Sequence, residues 1–505
     1  MKSGIFIVCS AAILGLLSDL LFYDVAFKSQ PWGLNLLVWL GCFAAFISIF
    51  LHKTSRPKSG LWFLTLAVNF AAVACWRDSA TLRALDVISL SMCLCLACYV
   101  AQGFDVVTSG LSQCVSVGLN AVSAMIIAPA ELLLRHVEWN GMINSKWRAS
   151  LVAALRGLVI ALPLVLIFGG LFIAADAAFE RLVTRSFSFD CGSFELHALL
   201  VGFVSWIVMA FLFKMMFKDW TNNVAAASGS GSLQIGTVEL ATVLGSLDLL
   251  FLTFVIVQFR YFFGGASLVK VTAGLSCSEY ARRGFFELVW VAALVLPLLL
   301  ILDYFACGAG ATRTRKLLFK ALAGAQLGLL SVIMISAVQR MMLYQSEYGM
   351  TELRLYTTAF MGWIFILSLA FAGTVLRGRR KHFALSVLVS GFAVIFALHA
   401  LNPDNLIVRM NLARAQSGHQ FDADYALSLS DDAIPALVEN IDRLPKEARQ
   451  QIAARLMSAE DNSQRADWRS WNWSRNVAAA AVHDNKRALE NMADLRIRSI
   501  SQAVR

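Results

Sequence analysis

Residues 355–405 read LYTTAFMGWIFILSLAFAGTVLRGRRKHFALSVLVSGFAVIFALHALNPDN. Two apolar runs, 355–376 and 383–401, flank the basic segment Arg377-Gly-Arg379-Arg380-Lys381, and Asn402-Pro403 closes the second run. A helix needs about 20 apolar residues to cross hydrocarbon roughly 30 Å thick. Inside lipid the segment must satisfy its own backbone polar groups, which makes helix the only open-chain solution. The stretch therefore reads as two membrane spans joined by a short, purely basic turn.

Working outward, nine more apolar stretches precede this pair, at 4–22, 33–51, 61–76, 84–102, 150–177, 196–217, 238–258, 284–306 and 316–338. None follows it. The expected fold is all-α: a polytopic transmembrane helix bundle of about eleven spans over residues 1–401, with a soluble helical tail over 402–505. Composition agrees, with 58% hydrophobic and 15% charged residues, against roughly 25% charged in an ordinary soluble domain. Residues 110–134 are only mildly apolar and contain Gln113, Asn120 and Pro129, so they read as an amphipathic helix lying in the interface. Met1-Lys2 and the apolar run after it look like a secretion signal, but Asp19 interrupts the run and no small-x-small cleavage site follows. The first run is expected to stay as a span.

The net charge of +10 belongs to the membrane part, because residues 402–505 hold 14 basic and 14 acidic side chains. A nucleic-acid site would need a basic face on a soluble surface, and the neutral tail has none. The basic clusters His52-Lys53-Thr-Ser-Arg56-Pro-Lys58, Arg313-Thr-Arg315-Lys316 and Arg377–Lys381 all follow even-numbered spans and contain no acid. Loops of that parity carry 16 Lys/Arg against 11 in the others. Basic excess marks the cytoplasmic side, which puts the N-terminus inside and the tail outside.

The tail has its own helix signals. Ser430 is a plausible N-cap for a helix beginning Asp431-Asp432, Pro445 suits the start of another running to Leu456, and a third runs from about Trp473 to Leu495. Trp468, Trp471 and Trp473, with Arg469 and Arg475, fit either an interfacial anchor or packing within the tail. Ala225–Ser232, rich in Ala, Ser and Gly, reads as a flexible connector, and no internal repeat is visible.

No catalytic or metal-ligand spacing is present. Cys93, Cys95 and Cys98 sit mid-span without a neighbouring His and read as small apolar fillers. Cys191 and Cys277 are expected on the oxidising side, and spacing alone leaves their pairing open. No cofactor is implied. Asp248 is the one ionisable residue near the middle of a span; Asp19, Asp86, Arg156, Glu287 and Asp303 lie nearer span ends, within reach of the interface. A charge at Asp248's depth costs at least about 2.5–3.5 kcal/mol unless paired or neutralised. It therefore reads either as a proton- or cation-coupled group or as a hydrogen-bonded structural carboxyl.

Three stretches carry a family likeness: Glu239-Leu-Ala-Thr-Val-Leu-Gly…Gln258-Phe-Arg-Tyr261-Phe-Phe-Gly264-Gly265, Glu279-Tyr280-Ala-Arg282-Arg-Gly284, and Tyr344-Gln-Ser-Glu347-Tyr348-Gly349…Arg354, continuing to Asn402-Pro403…Asn411. With Ala175–Phe179 and Asp467-Trp468-Arg-Ser-Trp471-Asn472, they resemble a bacterial family of multi-pass membrane proteins known as domain of unknown function 4153/4173. The resemblance implies no activity, and Asp248 stands where it leads one to expect an apolar or amide side chain. On the expected topology, Tyr261, Glu279, Tyr280, Arg282, Tyr344, Glu347, Arg354, Asn402 and Asn411 gather at the outer ends of spans. Such a set either binds a phosphate headgroup or other anion through its guanidinium groups, or staples helix ends together.

The function classes that follow are a non-enzymatic sensor or envelope assembly factor, an ion- or proton-coupled transporter, and an enzyme acting on a lipid-linked substrate at the outer face. The first is favoured. Its expected partners are membrane lipids and a protein bound through the tail.

Overall fold

The structure, a computed structural model, describes residues 2–27, 32–53, 60–106, 194–216, 237–272, 285–306, 312–463 and 467–493, with a few positions between 125 and 133. Helix accounts for 89% and there is no strand among the described residues. In chain order the membrane helices are α1 (Lys2–Phe27), α2 (Leu34–Lys53), α3 (Leu61–Trp76), α4 (Ala80–Ala101), α5 (Phe194–Met216) and α6 (Thr237–Thr272). They continue with α7 (Phe285–Ala306), α8 (Arg313–Tyr348), α9 (Glu352–Thr374) and α10 (Lys381–Leu401). The tail holds α11 (Pro403–Gln416), α12 (Ala423–Ser428), α13 (Ile434–Glu439), α14 (Lys446–Ser463) and α15 (Trp473–Asp484).

Eight of the described helices, α1 and α4 to α10, are long and apolar enough to cross a membrane, so the chain is a multi-pass membrane protein. The expected spans 33–51 and 61–76 appear as shorter apolar helices. The expected span 150–177, nearly all of the interfacial helix 110–134, the connector 225–232, Arg156, Cys191 and Cys277 lie outside the described residues.

Two helices overrun their expected ends by ten residues or more. Both α6 and α8 have 36 residues, about 54 Å at 1.5 Å per residue, so they extend past the expected limits 258 and 338. In α8 the segment Gln339–Tyr348 contains no helix breaker, and the helix stops only at Gly349, whose φ of 77° suits a residue without Cβ.

Helix contacts in the bundle rely on small residues, as expected where lipid removes the hydrophobic drive for helices to associate. Ala67, Ala71 and Ala74 of α3 are buried with Cys93, Ala97 and Ala101 of α4 in one cluster. A Cβ on Gly60 would lie 2.7 Å from the Ala97 carbonyl oxygen. Phe70 stacks between Phe392 and Phe396 of α10 at 5.0 and 4.8 Å. A second cluster joins α6 to α10 around Phe319, Leu330 and Phe371.

The tail packs around its own apolar core of Val408, Leu437, Ile441, Ile452 and Leu489. It sits on one end of the bundle, formed by the C-terminal ends of α1, α3, α8 and α10 and the N-terminal ends of α2, α4 and α9. Helix α5 starts at that same end, where His197 bonds Asp19 and stacks on Tyr23. The opposite end gathers the C-terminal ends of α4 and α5, tied by Gln102 to the Lys214 carbonyl at 2.7 Å, and the Arg380–Asp303 pair at 2.8 Å.

Tail helices differ from expectation in detail. Ser430 makes no cap bond; its hydroxyl turns to Asp404 and Asp432, and Asp431–Ala433 is a 3-10 turn. The third helix starts at Trp473 as expected, capped by Asn472, and is interrupted at Asn485. The helices at Pro403–Gln416 and Ala423–Ser428 were not foreseen.

The α1–α5 crossing supplies a test. A Cβ on Gly15 would lie 2.0 Å from Ser205 Oγ and 2.8 Å from the Val201 carbonyl oxygen, whereas one on Gly41 would meet nothing within 4 Å. Gly15→Leu is expected to lower thermal stability in detergent by about 1–3 kcal/mol equivalent, and Gly41→Leu to leave it unchanged.

Candidate functional site

The three-residue link between α3 and α4, Arg77-Asp78-Ser79, is where the tail is held. Its backbone is too short to pair with itself, so its polar groups need partners from elsewhere. Asp432, 3% exposed, takes two of the donors. Its carboxylate accepts from Asp78 N–H at 2.7 Å, from Arg77 Nη1 at 3.3 Å and from the Ser474 hydroxyl. The Ser474 hydroxyl lies 3.0 Å from the Trp76 carbonyl oxygen as well. Asn472 Nδ2 donates to the carbonyls of Ala74 and Arg77, satisfying acceptors that the end of α3 leaves open.

A second set of contacts frames the first. Asp78 takes Arg83 and Arg475, each at 2.9 Å. Arg475 continues to the Ser470 and Trp32 carbonyls, and Arg469 binds Asp24, Asp467 and the Leu20 carbonyl. Leu34 N–H donates to the Trp471 carbonyl at 3.0 Å, so the tail backbone runs hard against the start of α2. Gly33 makes that approach possible, because a Cβ there would lie 2.4 Å from the Trp471 carbonyl oxygen.

Beneath this junction, His399 Nε2 and Asp86 Oδ1 are 2.9 Å apart, and both side chains are about 1% exposed. Arg77 Nε donates to the His399 carbonyl at 2.9 Å, which links the buried pair to the Asp432 contacts. Asp86 and Asp303 thus do not reach out to the interface as their positions near span ends suggest; each is buried against a cationic or imidazole partner on another helix. Burying a lone carboxylate in lipid is the costlier alternative. Asp86 Oδ2 and His399 Nδ1 have no hydrogen-bond partner among the described residues.

The polar residues picked out at span ends fall partly into the same region. Asn411 clamps Met350 through both backbone groups, at 2.7 and 2.9 Å. Arg354 covers the Tyr344 ring at 4.2 Å and donates to the Tyr348 and Gly349 carbonyls. Arg414 donates to the Ser346 and Glu347 carbonyls. Asn402, in the left-handed region at φ 53°, forms the elbow from α10 to α11 and accepts from Asn405 N–H. These residues engage backbone at helix ends. The Tyr261 side chain, and Glu279, Tyr280, Arg282 and the Glu287 side chain, lie outside the described residues.

Asp248 stands apart from this junction, on α6. Both of its carboxylate oxygens are buried, and neither has a hydrogen-bond partner among the described residues. Cys75, Cys93, Cys95 and Cys98 are free thiols, and no group of three His, Cys, Asp or Glu suited to a metal occurs among the described residues.

Residues 64–440 match the family model described as a domain of unknown function (DUF4153). The chain belongs to this family. No curated protein and no solved structure matches it. The matched region includes both Arg77 and Asp432, and so contains the central contact between bundle and tail; Ser474 and Arg475 lie beyond it.

Burial raises the carboxyls at the junction that lack a cation. Asp404 is held above the ordinary range by burial, against the opposing bonds from Ser430. Burial lifts Asp431 from 3.8 to about 6, with Asp78 adding to the rise and Arg475 opposing it. A group that holds its proton more tightly when folded favours the folded state at low pH and loses that contribution as pH rises through the folded value. Asp431→Asn is therefore expected to flatten the fall in tail protease resistance between pH 3.8 and about 6. Asp432→Ala leaves Arg77 without its carboxylate, and a broken buried pair costs about 3–5 kcal/mol. It is expected to make the tail cleavable by protease while the bundle stays intact.

Proposed function

We propose that this protein is a non-enzymatic member of the bacterial inner membrane, a sensor or envelope assembly factor whose tail is an extracytoplasmic module read out by the bundle. The supporting observation is the character of the tail–bundle junction. Its centre is a set of ion pairs and hydrogen bonds on Asp432, Asp78 and Arg475, beside an apolar cluster in which Ile407 of the tail meets Leu82, Leu355 and Leu398 of the bundle; polar contacts between units of one chain are the kind that permit relative motion. It also touches the ends of seven membrane helices, so a change in the tail reaches most of the bundle. A ligand or protein partner on the tail would act through that contact.

The orientation rests on charge. The purely basic clusters Arg377–Lys381 and Arg313–Lys316 belong to helix ends remote from the tail, while at the tail end Arg77, Arg83 and Arg354 are mixed with Asp24, Asp78, Asp86 and Asp404. With basic residues inside, the tail lies outside. Helix α4 ends away from the tail and α5 begins beside it. The expected span 150–177, which lies outside the described residues, would be the crossing between them in an eleven-span scheme. A topology reporter fused after Lys381 is expected to read cytoplasmic and one after Asn402 extracytoplasmic; equal readings would remove the last crossing and the assigned side of the tail.

A second reading, an ion- or proton-coupled transporter, is favoured by one observation, the Asp248 carboxylate, whose oxygens are buried without a hydrogen-bond partner among the described residues. The two separate by mutation under envelope stress. The sensor reading expects Asp432→Ala to abolish complementation and Asp248→Asn to preserve it. The transporter reading expects Asp248→Asn to abolish it at unchanged protein level, and full activity with Asp248→Leu would exclude it.

A further inference from the structure

The foot of the tail carries a group of exposed indoles. Trp468, Trp471 and Trp473 are 59%, 40% and 52% exposed. Val477, one turn beyond Trp473 on the same face of α15, is exposed too. The depth of these rings relative to the bundle is set by backbone contacts. The Trp471 carbonyl accepts from Leu34 N–H at the start of α2, and Asn472 binds the last turn of α3. Trp32, just before α2, and Trp76, the last residue of α3, are exposed too, and their carbonyls meet Arg475 and Ser474 beside Trp473. Five indoles from three parts of the chain therefore lie in one layer, at the ends of apolar helices.

The neighbouring charges do not compete for that layer. Arg469 and Arg475 turn towards Asp24, Asp78 and backbone carbonyls, and the Arg77 guanidinium lies over the Trp76 ring at 4.3 Å. Among the described residues the outward surface is mainly indole and aliphatic, with exposed Asn476 beside Val477, and it lies next to Leu20 of α1, which is 64% exposed at the Arg469 contact. An amphipathic ring at the end of a span is best placed at the boundary of headgroup and acyl chain.

We propose that Trp468, Trp471 and Trp473, together with Trp32 and Trp76, seat the foot of the tail in the headgroup–acyl boundary of the bilayer that the bundle spans. The occupant of this surface is phospholipid of the leaflet on the tail side. The polar junction and the indole layer then hold the tail from two sides, one against protein and one against lipid.

Full-length protein in phosphatidylcholine nanodiscs tests this, with bromines on the acyl chains as the lipid-side quencher and iodide as the aqueous one. The emission lost on making W468F/W471F/W473F is expected to be the part quenched by brominated lipid and spared by iodide. Should the triple variant fail to fold, Trp468→Phe alone reads the same quantity, because its ring is the most exposed of the three. Emission quenched by iodide alone places the rings in water and overturns the proposal. Emission quenched by neither means that protein covers them, a second copy or another partner, and overturns it equally.

Discussion

The carboxylate of Asp432 is the acceptor around which the junction is organised. A link of three residues between two membrane helices leaves backbone and side-chain donors that nothing local can satisfy. Asp432 takes the Asp78 amide, the Arg77 guanidinium and the Ser474 hydroxyl at once. Arg77 then reaches the carbonyl of His399, whose ring binds Asp86 inside the bundle. The tail, the α3–α4 link and the end of α10 are thereby one connected set of charged groups. Removing the central carboxylate leaves several donors unpaired together, which is why its effect should exceed that of any peripheral residue.

The membrane part was largely legible because its physics is one-dimensional. Apolar length decides a span, and eight described helices meet that criterion near the expected positions. Span ends were less legible: the run Gln339–Tyr348 is polar enough to look like a loop, yet its residues are good helix formers, and α8 continues to Gly349. Asn402 was picked out at the end of a span, and it forms the elbow into the tail.

The junction itself was hardly legible. Asp78 and Arg475 are 397 residues apart in the chain and Arg77 and Asp432 are 355 apart; no periodicity connects such pairs. Ser430 looked like an N-cap from its local context, but a tertiary demand from Asp404 and Asp432 took its hydroxyl instead. A usable signal did exist in the two histidines, His197 and His399, set in apolar helices and each matched by a carboxylate in another, Asp19 and Asp86. An imidazole within a span needs a partner, and the supply of intramembrane carboxylates is short. Asp248 is the exception, a buried carboxyl whose oxygens meet no described donor.

Hydrogen exchange at the Asp78 amide, followed by mass spectrometry or NMR on the full chain in nanodiscs, tests the central claim most directly. That amide lies in a link between helices, outside any helical hydrogen-bond ladder, and its only described acceptor is Asp432 at 2.7 Å. The account predicts slow exchange in the native protein, comparable to amides in the interior of α4, and fast exchange in Asp432→Ala. Exchange at the rate of an open loop in the native protein would contradict a tail clamped onto the bundle through this carboxylate.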